Sequence, residues 1–222
     1  MIDSTPGAGV LAFRGAVLRS LRERVAKEAG RPWEAVERQI DREVDWLMRQ
    51  NEGFAVDLAS SRWLGRAAVV LAAYRALCSI DRLASRAIEE LRGAVVEQFG
   101  HQVDGYLTER FGIEHDKPQE AFARISENFQ KRGEARFGSA FRYEWEVRDE
   151  ARNFVNIRRC GYHDFFRTNG APEVTSVFCT LDIAWADEMR RRNYPVRFER
   201  PTTLAQGSDA CRFQFTKATE AK

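Results

Sequence analysis

The stretch Ser139-Ala140-Phe141-Arg142-Tyr143-Glu144-Trp145-Glu146-Val147 decides the fold class, because the apolar period changes here. Phe141, Tyr143, Trp145 and Val147 alternate with Arg142, Glu144 and Glu146. Successive side chains of a strand point to opposite faces, so this pattern predicts a strand with one buried face. Arg148-Asp149-Glu150 reads as a turn, and a second strand is expected from about Ala151 to Arg159, giving a hairpin. Two further alternating segments follow, Val196-Arg197-Phe198-Glu199 and Cys211-Arg212-Phe213-Gln214-Phe215, and the connection between them contains Gly207-Ser208-Asp209. Helical spacing returns between the hairpin and these strands, at Val174, Val177, Phe178, Leu181 and Trp185, and runs to about Arg192.

Upstream of the hairpin the period is helical throughout. Leu11, Val17, Leu18, Leu21 and Val25 mark a first helix that stops near Gly30. Pro32 suits the first turn of a second helix, whose apolar face is Trp33, Val36, Ile40, Val44, Leu47 and Met48. A third spans about Leu58 to Leu77 and is apolar on nearly all sides in its middle, so other elements must cover it on both flanks. After Asp81 a long helix is expected through Leu83, Leu91, Phe99, Leu107 and Phe111, weakened at Gly100 and Gly105. Pro118 opens a short helix with Phe122, Ile125 and Phe129 on one face. The residues from Lys217 to Lys222 read as a frayed tail.

The fold class is therefore α+β: a helical N-terminal layer packed on a small, mostly antiparallel sheet of about four strands with interleaved helices. The expected organisation is a helical region 1–112 and an α+β region 113–222, within one integrated domain or as two. The segment from Gly112 to Pro118 is the natural hinge.

The chain has 222 residues, 15 Phe and 5 Trp, enough for a substantial core. Its formal charge of +2 comes from 35 basic and 33 acidic side chains, which argues against a dedicated nucleic-acid binder. The start Met1-Ile2-Asp3-Ser4-Thr5-Pro6 has no basic region followed by an apolar run, so no secretory signal is read. The most apolar run, Ala67 to Tyr74, is far shorter than the roughly 20 residues a membrane span needs. The expected setting is cytoplasmic, without membrane association and with reduced cysteines. The N-terminal helices offer either a cap over a pocket or a surface for homo-oligomer formation.

The chemistry-bearing residues concentrate in the last third, which holds Cys160, Cys179 and Cys211 of the four cysteines. Cys160 follows Arg158 and Arg159 and precedes His163 by three residues, so the two share a face if a helix begins here. Cationic neighbours and a helix N-terminus lower a thiol pKa, which makes Cys160 the best candidate for reactivity. Thr175, Cys179 and Asp182 form one helical stripe, with Asp182 a base or substrate anchor. Glu173 follows Pro172 at the start of that helix. Cys211 shares a strand face with Phe213 and Phe215 and points inward, as a core residue or as a pocket wall. The rival reading for each cysteine, Cys78 above all, is core packing. Arg190-Arg191-Arg192 reads as a solvated helix C-terminus favoured by the macrodipole. No metal or other cofactor is called for. The alternative is a zinc site of Cys160, His163, Cys179 and Cys211, which lacks the Cys-x-x-Cys pair of zinc ribbons and knuckles.

These motifs, in this order, resemble the L-2-amino-thiazoline-4-carboxylic acid hydrolase family. The resemblance rests on Cys160-Gly161-Tyr162-His163-Asp164-Phe165, then Pro172-Glu173 leading to Cys179-Thr180-Leu181-Asp182, then Arg200 through Gly207 and Cys211-Arg212-Phe213. Leu71 to Leu77 looks like the N-terminal half of the family. Gly161 stands where the family pattern has Pro. The resemblance implies a hydrolase that opens a small cyclic isothiourea by adding water to the carbon bonded to sulfur and two nitrogens, giving a carbamoyl-cysteine. Such chemistry needs a thiolate or an activated water, a carboxylate for the cationic amidine and a cation for the substrate carboxylate. The roles it implies are Cys160 or Cys179 as nucleophile, His163 as acid/base, Asp182 or Glu173 as amidinium anchor and Arg200 as carboxylate clamp, with Cys211 lining the substrate site. A small-ligand or metal-binding sensor module using the same cysteines is the alternative function.

Overall fold

The computed structural model describes residues 7–25, 32–80 and 83–218. Among them are eight α-helices and a four-stranded sheet, so the fold is α+β. In chain order the helices are α1 (Ala8–Val25), α2 (Trp33–Gln50), α3 (Leu58–Cys78), α4 (Ala84–Gly100), α5 (Val103–Phe111), α6 (Ala121–Phe137), α7 (Gly161–Thr168) and α8 (Thr175–Arg191). The strands are β1 (Arg142–Arg148), β2 (Arg152–Arg159), β3 (Val196–Glu199) and β4 (Cys211–Lys217). The expected stop of α1 near Gly30 and the residues beyond Ala218 lie outside the described residues. Lys217 itself ends β4 rather than opening a tail.

Two compact units emerge, residues 1–101 with 161–181, and residues 102–160 with 182–222. They interleave along the chain. The segment from Gly112 to Pro118 lies inside the second unit.

In the first unit α3 is the central rod. Leu64, Ala67, Ala68, Val69, Val70, Leu71 and Ala73 are fully buried, because α1, α2, α4 and α7 all pack against this helix. Each large apolar side chain so enclosed contributes about 1.5–3 kcal/mol. Asp57 caps the helix, its carboxylate accepting the Ser60 N–H at 2.6 Å.

In the second unit the strand order is β1-β2-β4-β3, antiparallel throughout. The register brings Tyr143 opposite Ile157, Ile157 opposite Cys211, and Phe198 opposite Phe215. Tyr143, Val155, Ile157, Cys211, Phe213 and Phe215 therefore share the buried face. The inward direction of Cys211, Phe213 and Phe215 matches the alternation in the sequence. Phe129 of α6 packs on Tyr143, Phe213 and Phe215, and Trp185 of α8 packs on Phe198 and Phe215. Phe111 of α5 joins both, its ring 4.9 Å from Trp185 and 6.1 Å from Phe129.

Three elements differ from expectation. The long helix after Asp81 is two helices, broken at His101 and Gln102, where Gln102 leaves helical geometry with φ −130. That break coincides with the passage from the first unit to the second. The helix after Pro118 is not short but continues to Phe137, and its second half buries Gly133, which carries no apolar side chain to mark the face in the sequence. Finally, α7 is a full helix where the sequence offered only a conditional first turn.

Candidate functional site

The loop that joins β3 to β4 is tightly laced. Leu204–Gln206 form a single 3-10 turn closed by Gly207 in the left-handed region, φ 85, a conformation that favours glycine. The Thr202 hydroxyl donates to Ala210 O at 3.0 Å, and Arg212 donates to that hydroxyl at 2.9 Å. The Ser208 N–H donates to Thr203 O at 3.2 Å. This lacing fixes both ends of the loop, Arg200 at its start and Cys211 at its close.

Arg200 Nη1 donates to Asp182 Oδ2 at 2.5 Å. The Trp185 indole N–H, one helical turn on from Asp182, donates to Oδ1 at 3.2 Å. The Arg200 side chain is only 9% exposed, and its guanidinium lies 5.8 Å from the Phe213 ring centre. Asp182 is surrounded by protein, yet 27% of its side chain stays accessible, so it is enclosed but reachable by small molecules. Burial raises the Asp182 pKa, while Arg200, the Trp185 N–H and Arg110 oppose the rise. The amidinium anchor and the carboxylate clamp expected from the sequence are thus each other's partners.

Cys211 Sγ accepts the Leu204 N–H at 3.2 Å. Burial pushes this thiol's pKa up, helped by Asp182 and opposed by the Leu204 bond and Arg200. Cys211 therefore stands protonated beside the Asp182–Arg200 pair, and its thiolate is disfavoured. Cys160 lies between β2 and α7, half-buried. Arg158, expected to favour its thiolate, is committed elsewhere: it donates to Glu144 at 2.7 Å and to Asp209 at 2.5 Å.

The structure places His163, Glu173 and Cys179 in the first unit. His163 sits on α7, half-buried, with its Nδ1 buried and without a hydrogen-bond partner. Burial lowers its pKa, Asp164 opposing and Arg167 assisting, so the ring is neutral at neutral pH and available as a base. Glu173 Oε1 accepts the Tyr74 hydroxyl at 2.7 Å, a bond between residues far apart in sequence. Burial, then Glu173 and Cys78, hold the Tyr74 phenol protonated, and burial also raises the Cys78 thiol. Cys179 is half-buried on α8, one turn after the buried Thr175.

None of the four cysteines is in a disulfide. Among the described residues, no three His, Cys, Asp or Glu side chains gather as a metal site, and that includes Cys160, His163, Cys179 and Cys211. No described helix is long and apolar enough to cross a membrane.

Sequence reasoning missed Arg110 and Tyr143 in the second unit. Arg110 is 5% exposed and Tyr143 8% exposed, both inside the aromatic core around Phe129. An arginine in an amphipathic helix reads as surface, and a tyrosine in an alternating strand reads as packing. Gly133 was the available signal, a residue without a side chain on the buried face of α6.

The model of the L-2-amino-thiazoline-4-carboxylic acid hydrolase family matches residues 63–215. The chain belongs to that family. The matched span takes in every site residue described above, from Tyr74 to Cys211. No curated protein matches the sequence.

Proposed function

We propose that this protein is a hydrolase that opens a small cyclic isothiourea bearing a carboxylate, of the 2-aminothiazoline-4-carboxylate type, to a carbamoyl-cysteine. The observation that carries this reading is the enclosed but reachable Asp182–Arg200 pair within a chain of this family. A cationic amidine is recognised by a carboxylate through charge-assisted hydrogen bonds. Asp182 is better suited than Glu173, because Arg200 and the Trp185 N–H favour its anion against the burial that raises its pKa, and part of it remains accessible, whereas Glu173 is engaged with the Tyr74 hydroxyl. Arg200 reaches a substrate carboxylate only if its bond to Asp182 opens, so its first role is to hold Asp182.

In the nucleophilic form of the reaction the Cys160 thiolate attacks the carbon between sulfur and the two nitrogens. The ring C–S bond breaks, and the substrate sulfur leaves as a thiolate and takes a proton. Water then adds to the enzyme-bound isothiourea. The Cys160 sulfur departs with the bonding pair, leaving the urea carbonyl of the product. In the direct form water attacks the same carbon, and a neutral base removes its proton. Cys179 is the alternative nucleophile and Glu173 the alternative anchor. Cys211, protonated and buried, lines the site.

Serine replacement of Cys160 and of Cys179, one at a time, separates the two forms. Loss of about 100-fold or more in kcat in one variant assigns the nucleophile. Full ring-opening activity in both variants leaves the direct attack of water. The raised thiols of Cys78 and Cys211 disfavour a redox sensor built on those two cysteines, since low-pKa thiols are the ones that oxidise readily.

A further inference from the structure

We propose that Trp185 is a positioning residue: its indole N–H sets the plane of the Asp182 carboxylate, leaving one acceptor position open on each oxygen for a flat amidinium. The inference deepens the hydrolase reading and rests on it for the role of Asp182 as anchor. Trp185 follows Asp182 by three residues on α8 and donates from Nε1 to Oδ1 at 3.2 Å. The terminal torsion of an aspartate is soft, so the carboxylate alone would sample many orientations. The indole does not share that freedom. It is 1% exposed and wedged among rings from three other elements. Its ring centre lies 4.9 Å from Phe111 of α5, 4.5 Å from Phe198 of β3 and 5.9 Å from Phe215 of β4. The packing of the second unit therefore fixes the direction from which Oδ1 is held.

Arg200 reaches the same carboxylate from the loop between β3 and β4 and holds Oδ2 at 2.5 Å. An ionised carboxylate offers about four acceptor positions, two on each oxygen. These two donors use one on each oxygen and leave one on each. Two parallel N–H groups of an amidinium or isothiouronium need such a pair of oxygens for a bidentate bond. The accessible part of the side chain, 27%, gives the room for that approach. An ammonium of equal charge is a point donor and gains little from a fixed plane. The arrangement thus selects flat, two-nitrogen cations over amines. Four further groups face Asp182: Arg200 from the loop, Arg110 from α5, Cys211 from β4 and Tyr143 from β1. Burial keeps the Cys211 thiol and the Tyr143 phenol protonated, and both arginines are untouched by a change at Trp185. Trp185→Phe therefore isolates the N–H. Without that donor the Asp182 anion is less favoured, and the carboxyl takes up its proton at higher pH.

The test is calorimetric binding of 2-aminothiazoline, which has the cyclic isothiourea but no carboxylate, with pyrrolidine as the ammonium of similar size. The wild-type protein should bind 2-aminothiazoline at least about tenfold more tightly than pyrrolidine at neutral pH. In Trp185→Phe most of that preference should go, and the acid midpoint of binding should move up by about one pH unit. Loss of packing alone would weaken both ligands alike and leave the midpoint in place. The wild-type protein gives a second reading that needs no variant. The Trp185 indole proton resonance should shift with the same acid midpoint at which binding is lost. An absent preference for 2-aminothiazoline, a preference and midpoint unchanged in Trp185→Phe, or an indole resonance that ignores this titration would overturn the proposal. Turnover of L-2-amino-thiazoline-4-carboxylate is scored separately. Turnover with an unmoved midpoint sinks the role of Trp185 and leaves the hydrolase reading. A moved midpoint without turnover sinks the hydrolase reading and leaves Trp185 orienting a cation site.

Discussion

At the scale of single residues, Asp182 is poised between opposed effects. Enclosure favours its neutral form, and the Arg200 and Trp185 donors favour the anion. Asp182→Asn keeps the shape but leaves a largely buried arginine without its countercharge. The expected loss is about 1–3 kcal/mol of stability, read from urea unfolding. Gly133→Ala should cost a similar amount, about 1–3 kcal/mol, since its methyl would stand 2.5 Å from the Tyr143 oxygen and 2.7 Å from its ring carbon. Wild-type stability in Gly133→Ala would show that this contact is loose. His163 has a folded pKa below its ordinary 6.5, so its neutral form persists at lower pH than in the unfolded chain. Its contribution to stability is present above 6.5 and is lost as pH falls from there through the lower folded value. If His163 is the general base, the acid limb of kcat/KM lies below pH 6.5 and disappears in His163→Asn. The order of Cys160, His163, Glu173, Cys179, Asp182, Arg200 and Cys211 was legible in the sequence. Which of them pair was not. Asp182 with Arg200 and Tyr74 with Glu173 are tertiary facts, set by helix packing and loop lacing rather than by spacing along the chain.

At the scale of elements, the end of α8 shows how charge patterning is shared between solvent and structure. Arg190 and Arg191 are exposed and pair within the helix with Asp187 and Glu188, as a solvated C-terminus should. Arg192 is different: 16% exposed, it bonds Glu188 at 2.5 Å and also Asp104 of α5. These arginine bonds hold the Glu188 carboxyl down at about 2, against an ordinary value of 4.5. The folded pKa is depressed, so the stabilisation is present above pH 4.5 and is lost as pH falls toward 2. Glu188→Gln should lower stability by about 1 kcal/mol at pH 7 and flatten the acid side of the stability profile, measured by thermal melts across that range. The four strands, the hairpin and α3 were legible because period two and an all-apolar middle are strong signals. The division of the fourth helix was only partly legible. Gly100 and Gly105 marked weakness, but the break falls at Gln102, where the chain passes from one unit to the other. The length of α6 was hidden because its second half packs a glycine and stacks an arginine where an apolar stripe would be looked for.

At the scale of the whole molecule, the family membership and the α+β class are firm, and the catalytic reading rests on one enclosed ion pair in the second unit. That unit holds Asp182, Arg200, Cys160 and Cys211 on a sheet packed with aromatic side chains, and a rigid aromatic core is a suitable mount for groups that must keep their geometry. The most direct measurement is incubation of the purified protein with L-2-amino-thiazoline-4-carboxylate, with product detected by mass spectrometry, for the wild type and for Asp182→Asn of native circular dichroism. The expected result is a product heavier than the substrate by one water, formed by the wild type and reduced by about 100-fold or more in the variant. A folded wild type that forms no such product, or an Asp182→Asn variant that forms it at the wild-type rate, would contradict the assignment.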